Sequence, residues 1–195
     1  VLMAMKSTPR HAEALLDKRD KQFGINPDAI HHATVLGAWA EKRNGPRTEA
    51  LIKKMLSNGV KANIAAYNSL LYSWRDDLDR MEGIFHGMIQ DYAKCSYRDL
   101  MNKDRHNKEP YPPAVKPNLE SLNLVLTAQA RATAPERAEA LLDWVVNDPE
   151  IRNVIQPNIV CLSSVLNAWA RAKQPERVEA LLHKIQQAGY EPNVV

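Results

Sequence analysis

Apolar side chains along this sequence fall in short runs with the spacing of one helix face, and the runs come in pairs. Between Ile159 and Asn193 the first run is Ile159, Val160, Cys161 and Leu162, continuing through Val165, Leu166, Ala168, Trp169 and Ala170. Lys173-Gln174-Pro175 interrupts it, and a second face follows through Val178, Leu181, Leu182 and Ile185. Gly189-Tyr190-Glu191-Pro192-Asn193 closes the unit. Proline just inside a helix and glycine just past one are the expected punctuation, so the stretch reads as helix, turn, helix, stop. Two helices this short leave an apolar face uncovered unless neighbours cover it.

The same pattern supplies the neighbours. Pro192-Asn193, Pro157-Asn158, Pro117-Asn118, Ala62-Asn63 and Pro27-Asp28 end successive units, spaced 35, 40, 55 and 35 residues apart. A second register comes from Glu179-Ala180-Leu181-Leu182, which recurs as Glu139-Ala140-Leu141-Leu142, Glu49-Ala50-Leu51-Ile52 and Glu13-Ala14-Leu15-Leu16. A degenerate copy stands at Glu82-Gly83-Ile84-Phe85. A period near 35 predicts an all-α solenoid of stacked helix–turn–helix repeats, open at both ends. The repeats span residues 29–63, 64–118, 119–158 and 159–193, after a partial repeat at 1–28. Val194-Val195 starts a further one, so both ends read as cut from a longer array.

Two repeats exceed the period. The third has a long insertion near residues 92–113: Tyr92 to about Asn102 can prolong the second helix, and Lys103 to Pro113 is charged, then proline-rich. Solenoid insertions lie on one face, as a tolerated loop or as a contact for a partner. The fourth has a shorter one near 147–153, around Asn147-Asp148-Pro149-Glu150. Composition adds little: 45% apolar and 25% charged residues describe a foldable chain. A net charge of +3 permits nucleic-acid binding without requiring it. Cys95 and Cys161 form no CxxC pair, which points to a reducing compartment without disulfides or structural zinc. No apolar run is long enough to insert in a membrane.

Helical hairpins of this period ending in Pro-Asn or Pro-Asp, with Tyr67-Asn68-Ser69-Leu70-Leu71 early in a first helix, resemble pentatricopeptide repeats. The Trp-x-x-Leu-Gly-x-x-Tyr pattern of tetratricopeptide repeats is absent. The resemblance covers essentially the whole chain. It implies a right-handed superhelix with the first helices on its concave side, each repeat reading one base of single-stranded RNA. It also implies residence in a mitochondrion or chloroplast, with a role in RNA processing, stability or translation. The reading pair, the fifth and last residue of each repeat, falls on Ala33 with Asn63, Asn68 with Asn118, Asn123 with Asn158, and Ser163 with Asn193. By resemblance the array reads any base, two pyrimidines and then adenine. The last residue of each unit is also a favoured helix cap, and the two roles are compatible.

The second position of each repeat, which sandwiches the base in that family, holds Ile30 and Val160 but also Ala65 and Glu120. The phosphate-contacting position holds Arg131 and Arg171, but Glu41 and Asp76 in the other two repeats, where Arg75 and Lys42 stand adjacent. Glu120, Glu41, Asp76 and the insertion favour the alternative of a structural subunit holding proteins in an organellar ribonucleoprotein or other assembly.

Other constellations read as structure. Trp39, Trp74 and Trp169, with Gln129 in the fourth repeat, sit within first-helix apolar runs and are expected to pack between the two helices of a hairpin. His31-His32 lacks a third metal ligand nearby, and His32 holds the packing place of Tyr67. Asp76, Asp77, Asp79 and Glu82 enter a helix, where acids cap and complement the dipole. No phosphate loop, nucleophile elbow or zinc-deaminase signature occurs, so neither a cofactor nor catalysis is expected.

Overall fold

A computed structural model describes residues 9–23, 28–101 and 115–187. Every regular element among them is a helix. The chain divides into two compact units, one through Lys116 and the other from Pro117.

The first unit contains α1 (Pro9–Phe23), α2 (Ala29–Glu41), α3 (Gly45–Ser57), α4 (Ile64–Ser73) and α5 (Leu78–Met101). The hairpins are α2 with α3 and α4 with α5. The first helices α2 and α4 pack against each other, while α1 and α3 each also pack against the first helix that follows them. Ala12 and Leu16 of α1, Val35 and Leu36 of α2, Leu51 and Met55 of α3, and Ala66 and Leu70 of α4 therefore share one apolar cluster. The prolonged α5 accounts for the first part of the long insertion. Its remainder, residues 102–113, lies outside the described residues.

The second unit repeats the plan with α6 (Leu119–Arg131), α7 (Pro135–Asn147), the single turn α8 (Pro149–Arg152), α9 (Ile159–Arg171) and α10 (Pro175–Gln187). Here α6 packs on α9, and α7 touches both. Leu122, Val125, Leu141, Val145, Val165 and Ala168 are buried between them. The shorter insertion forms α8, capped by the Asp148 carboxylate and anchored by buried Ile151.

Local chemistry sets the helix limits. Asp28, Asn44, Asn63, Asn118 and Asn158 each accept backbone N–H bonds at a helix start, worth about 1 kcal/mol apiece. The second helices α7 and α10 begin with proline and α3 has one as its second residue, positions whose N–H has no partner within the helix anyway. At the end of α3, Gly59 takes φ +74°, and Val60 N–H reaches back to the Met55 carbonyl. Three hairpin turns use that left-handed geometry without glycine, at Arg43, Thr133 and Lys173.

The hairpin of α4 and α5 departs from this rule. The apolar pattern puts Trp74 on the first helix, but α4 ends at Ser73 and Trp74 lies in the turn as its cap. Only Arg75, Asp76 and Asp77 separate Trp74 from α5, whereas five residues separate Trp39 from α3 and Trp169 from α10. The chain must therefore leave its first helix earlier. The Trp74 ring then lies so close to Gly45 that a Cβ there would collide with it.

Candidate functional site

The expected base-contacting residues lie on, or at the start of, the first helices α2, α4, α6 and α9, and their exposure differs from repeat to repeat. On α9, Val160, Ser163 and Arg171 are all exposed and lie within about 80° of one another around the helix. Ile30 and Val160 are 71% and 51% exposed, two of the three large apolar side chains left in water among the described residues. Ala65 and Glu120, at the same position of α4 and α6, are exposed as well.

At the fifth position the four repeats diverge. Ser163 is exposed, Ala33 and Asn123 are half-buried, and Asn68 is buried. The Asn123 carbonyl oxygen is enclosed without a hydrogen-bond donor. Ser163 donates its hydroxyl proton to the Ile159 carbonyl at 2.8 Å, so its remaining lone pairs can accept from a base amino group.

The repeat-terminal asparagines act as caps through one atom. The Asn63 side-chain oxygen accepts from Ala66 N–H at 3.0 Å, and that of Asn158 accepts from Val160 and Cys161 N–H at 3.1 and 3.2 Å. The Asn118 oxygen accepts from Ser121 N–H and from the Ser121 hydroxyl, both at 3.0 Å. Capping thus consumes the carboxamide oxygen and leaves the amino group as the face a base acceptor could meet. Asn193 lies outside the described residues.

The cationic positions also separate. Arg131 and Arg171 end α6 and α9 and are exposed. Arg75, the stand-in for Asp76, is committed to the protein: it donates to the Ala40 and Tyr72 carbonyls at 2.9 and 2.7 Å and stacks 3.9 Å from the Tyr72 ring centre. Asp76 itself pairs with Arg43 of the preceding turn at 3.1 Å. A phosphate-contacting role for Arg75 would require breaking two half-buried hydrogen bonds, so the structure makes it a brace between hairpins.

Trp39 and Trp169 are buried and Trp74 is half-buried, and the first two have a hydrogen-bond partner outside their own hairpin. Trp39 donates its indole N–H to Glu13 at 3.1 Å, and Trp169 donates to Glu139 at 2.9 Å. Each bond runs from a first helix to the second helix of the preceding repeat, so packing within one hairpin is only half of the arrangement. Arg47 completes the first junction, bonding Glu13 at 2.7 Å and approaching the Trp39 ring, and Arg177 lies 5.5 Å from the Trp169 ring centre. At the hairpin of α4 and α5, Arg80 holds Glu49 at 2.7 Å, but the displaced Trp74 keeps its N–H buried without a partner. The signal was present as the glutamate of Glu-Ala-Leu-Leu, the recurring charge in an otherwise apolar signature.

The remaining candidates are structural. Asp28 caps α2, and the His31 N–H and ring beside it hold its carboxyl below the usual range. Buried His32 bonds the Asp28 carbonyl at 3.0 Å. Asp77 caps α5 through Arg80 N–H. Burial raises the Cys161 thiol above its ordinary value, which suits packing rather than reactivity. Among the described residues no His, Cys, Asp and Glu group could hold a metal, and no helix is long and apolar enough to cross a membrane.

The sequence profile described as the pentatricopeptide repeat domain matches residues 15–75 and 144–195. The fold is similar to the PPR domain of Arabidopsis thaliana protein-only RNase P 1, solved in complex with tRNA. That likeness has a TM-score of 0.62 and 14% identity, over 97% of this chain and 88% of that one. It is similar also to the pentatricopeptide repeat protein PPR10, solved with an 18-nucleotide psaJ RNA element (TM-score 0.61, 18% identity). That match covers 98% of this chain but 28% of PPR10. Nuclear proteinaceous RNase P 2 from A. thaliana gives 0.53 at 14% identity, over 94% of this chain and 36% of that one. No curated protein sequence matches.

Proposed function

Because this chain belongs to the pentatricopeptide repeat family, we propose that its first helices bind single-stranded RNA, one base per hairpin. The setting is a mitochondrion or chloroplast, in RNA processing, stability or translation, and the role is binding rather than catalysis. The observation that carries the reading is the single face of α9 on which Val160, Ser163 and Arg171 stand exposed together. An aliphatic side chain to cover a base, an acceptor for its edge and a cation for its phosphate are the three contacts a nucleotide offers. The tRNA and psaJ RNA bound by the similar folds support RNA as the ligand; the protein's own surface supports where it is held.

The test is a panel of short RNAs varied at the last-read base. Ser163→Asn is expected to move the preference there from adenine toward pyrimidine, with binding that weakens steeply as salt rises. An unchanged preference overturns the Ser163 assignment. Absence of binding at low salt instead favours the second reading, a non-catalytic scaffold for protein subunits of an organellar complex. Buried Asn68 and the acids Glu41 and Asp76 of the first unit favour that reading.

A further inference from the structure

Each first helix carries a ladder at spacing i, i+4, i+8 that starts from its fifth-position residue. In the second unit the rungs are Asn123, Thr127 and Arg131 on α6 and Ser163, Asn167 and Arg171 on α9. Thr127, Arg131, Ser163, Asn167 and Arg171 are exposed, and Asn123 is half-buried. Both ladders therefore run from a short polar side chain, through a second short polar side chain, to a guanidinium. The first unit's ladders are Ala33, Gly37 and Glu41 on α2, and Asn68, Tyr72 and Asp76 from α4 into its turn. They offer no such sequence of groups, since Asn68 is buried, Tyr72 lies under Arg75 and Asp76 is paired with Arg43.

We infer that Thr127 and Asn167 contact the ribose 2′-hydroxyls of two successive nucleotides, and that the second unit alone thereby distinguishes RNA from DNA. The inference rests on the RNA-binding reading above and adds to it residues with no role there. Rungs four residues apart rise about 6 Å along the helix, so the ladder extends roughly 12 Å from its first rung to its arginine. A nucleotide laid along it, base edge at the first rung and phosphate at the guanidinium, brings its sugar to the middle rung. A hydroxyl or a carboxamide can donate to and accept from a 2′-hydroxyl, which is itself both donor and acceptor. Because α6 and α9 pack side by side, the two middle rungs serve adjacent nucleotides.

The test compares the 195-residue chain and its Thr127→Val and Asn167→Ala variants on one RNA and on a DNA strand of the same bases, uracil included. Both positions are exposed, and helix content by circular dichroism checks that the variants fold. Wild type is expected to favour RNA. Each variant should lose about fivefold in RNA affinity, the scale of one hydrogen bond, with DNA affinity unchanged. Glu41→Gln in the first unit should leave the RNA-to-DNA ratio as it is. Binding of RNA with a ratio that neither variant alters, or an equal loss on both strands, overturns this inference and leaves the function standing. No binding of either strand at low salt overturns the function itself.

Discussion

The two units have the same frame and different faces. In both, first helices lie side by side, second helices fill the spaces behind them, and a tryptophan joins consecutive repeats through a glutamate. On the outward face the first unit presents Ile30, Ala33, Gly37 and Glu41 on α2, while the second presents Val160, Ser163, Asn167 and Arg171 on α9. The frame depends on which helix face is apolar. The outward residues are under no such constraint, and they can diverge between repeats without disturbing the packing. Likeness of fold and likeness of ligand chemistry are therefore separate questions in this chain, answered by different residues.

If the frame is shared, its tryptophans should be equally costly to remove. Trp39→Ala and Trp169→Ala are each expected to lower the unfolding free energy by about 3–5 kcal/mol, measured by urea unfolding followed by circular dichroism. A large loss at one and almost none at the other would break the equivalence. A smaller effect tests the hairpin that departs from the rule. Gly45→Ala should destabilise by about 1–3 kcal/mol, because the added methyl meets the Trp74 ring, despite alanine's better helix propensity. Pro175→Ala, at the corresponding exposed helix start in the second unit, should shift stability by no more than about 0.5 kcal/mol.

The smallest effect is a pH dependence at Glu49. The Arg80 guanidinium, and then Lys53, hold its carboxyl below the ordinary value of 4.5. A carboxyl depressed by folding contributes stability above its unfolded value and loses it as pH falls through its folded one. Wild type should therefore melt above Arg80→Gln at neutral pH, and the gap should narrow as pH drops below 4.5. A gap independent of pH would remove Glu49 as the group that Arg80 serves.

Much of the fold was legible because it follows from periodicity. The recurring Glu-Ala-Leu-Leu and Pro-Asn pairs located the hairpins, and helical spacing located their buried sides. The short turn after Trp74 was also countable, but apolar character alone assigned that tryptophan to a helix. The glutamate–tryptophan bonds were harder to see, because a charge beside an apolar run ordinarily points to water. Here the partner comes from another repeat, 26 residues away for Glu13 and Trp39 and 30 for Glu139 and Trp169. The candidate site was legible as positions rather than as environments. Asn68 and Asn123 are the same residue at the same register, yet one is buried and the other half-buried. Arg75 carries the right charge beside the expected place, but carbonyls of its own chain claim it.

The junction of Glu13, Trp39 and Arg47 also bears on how such a molecule can change length. Two first helices carry a tryptophan socket, at Trp39 and Trp169, and the second helix before each supplies its glutamate plug. An in-frame insertion that leaves the helix of Glu13 beside that of Trp39, and that of Glu139 beside that of Trp169, would keep both pairs mated, whereas losing one helix of a pair would strand an indole or a carboxylate in the interior.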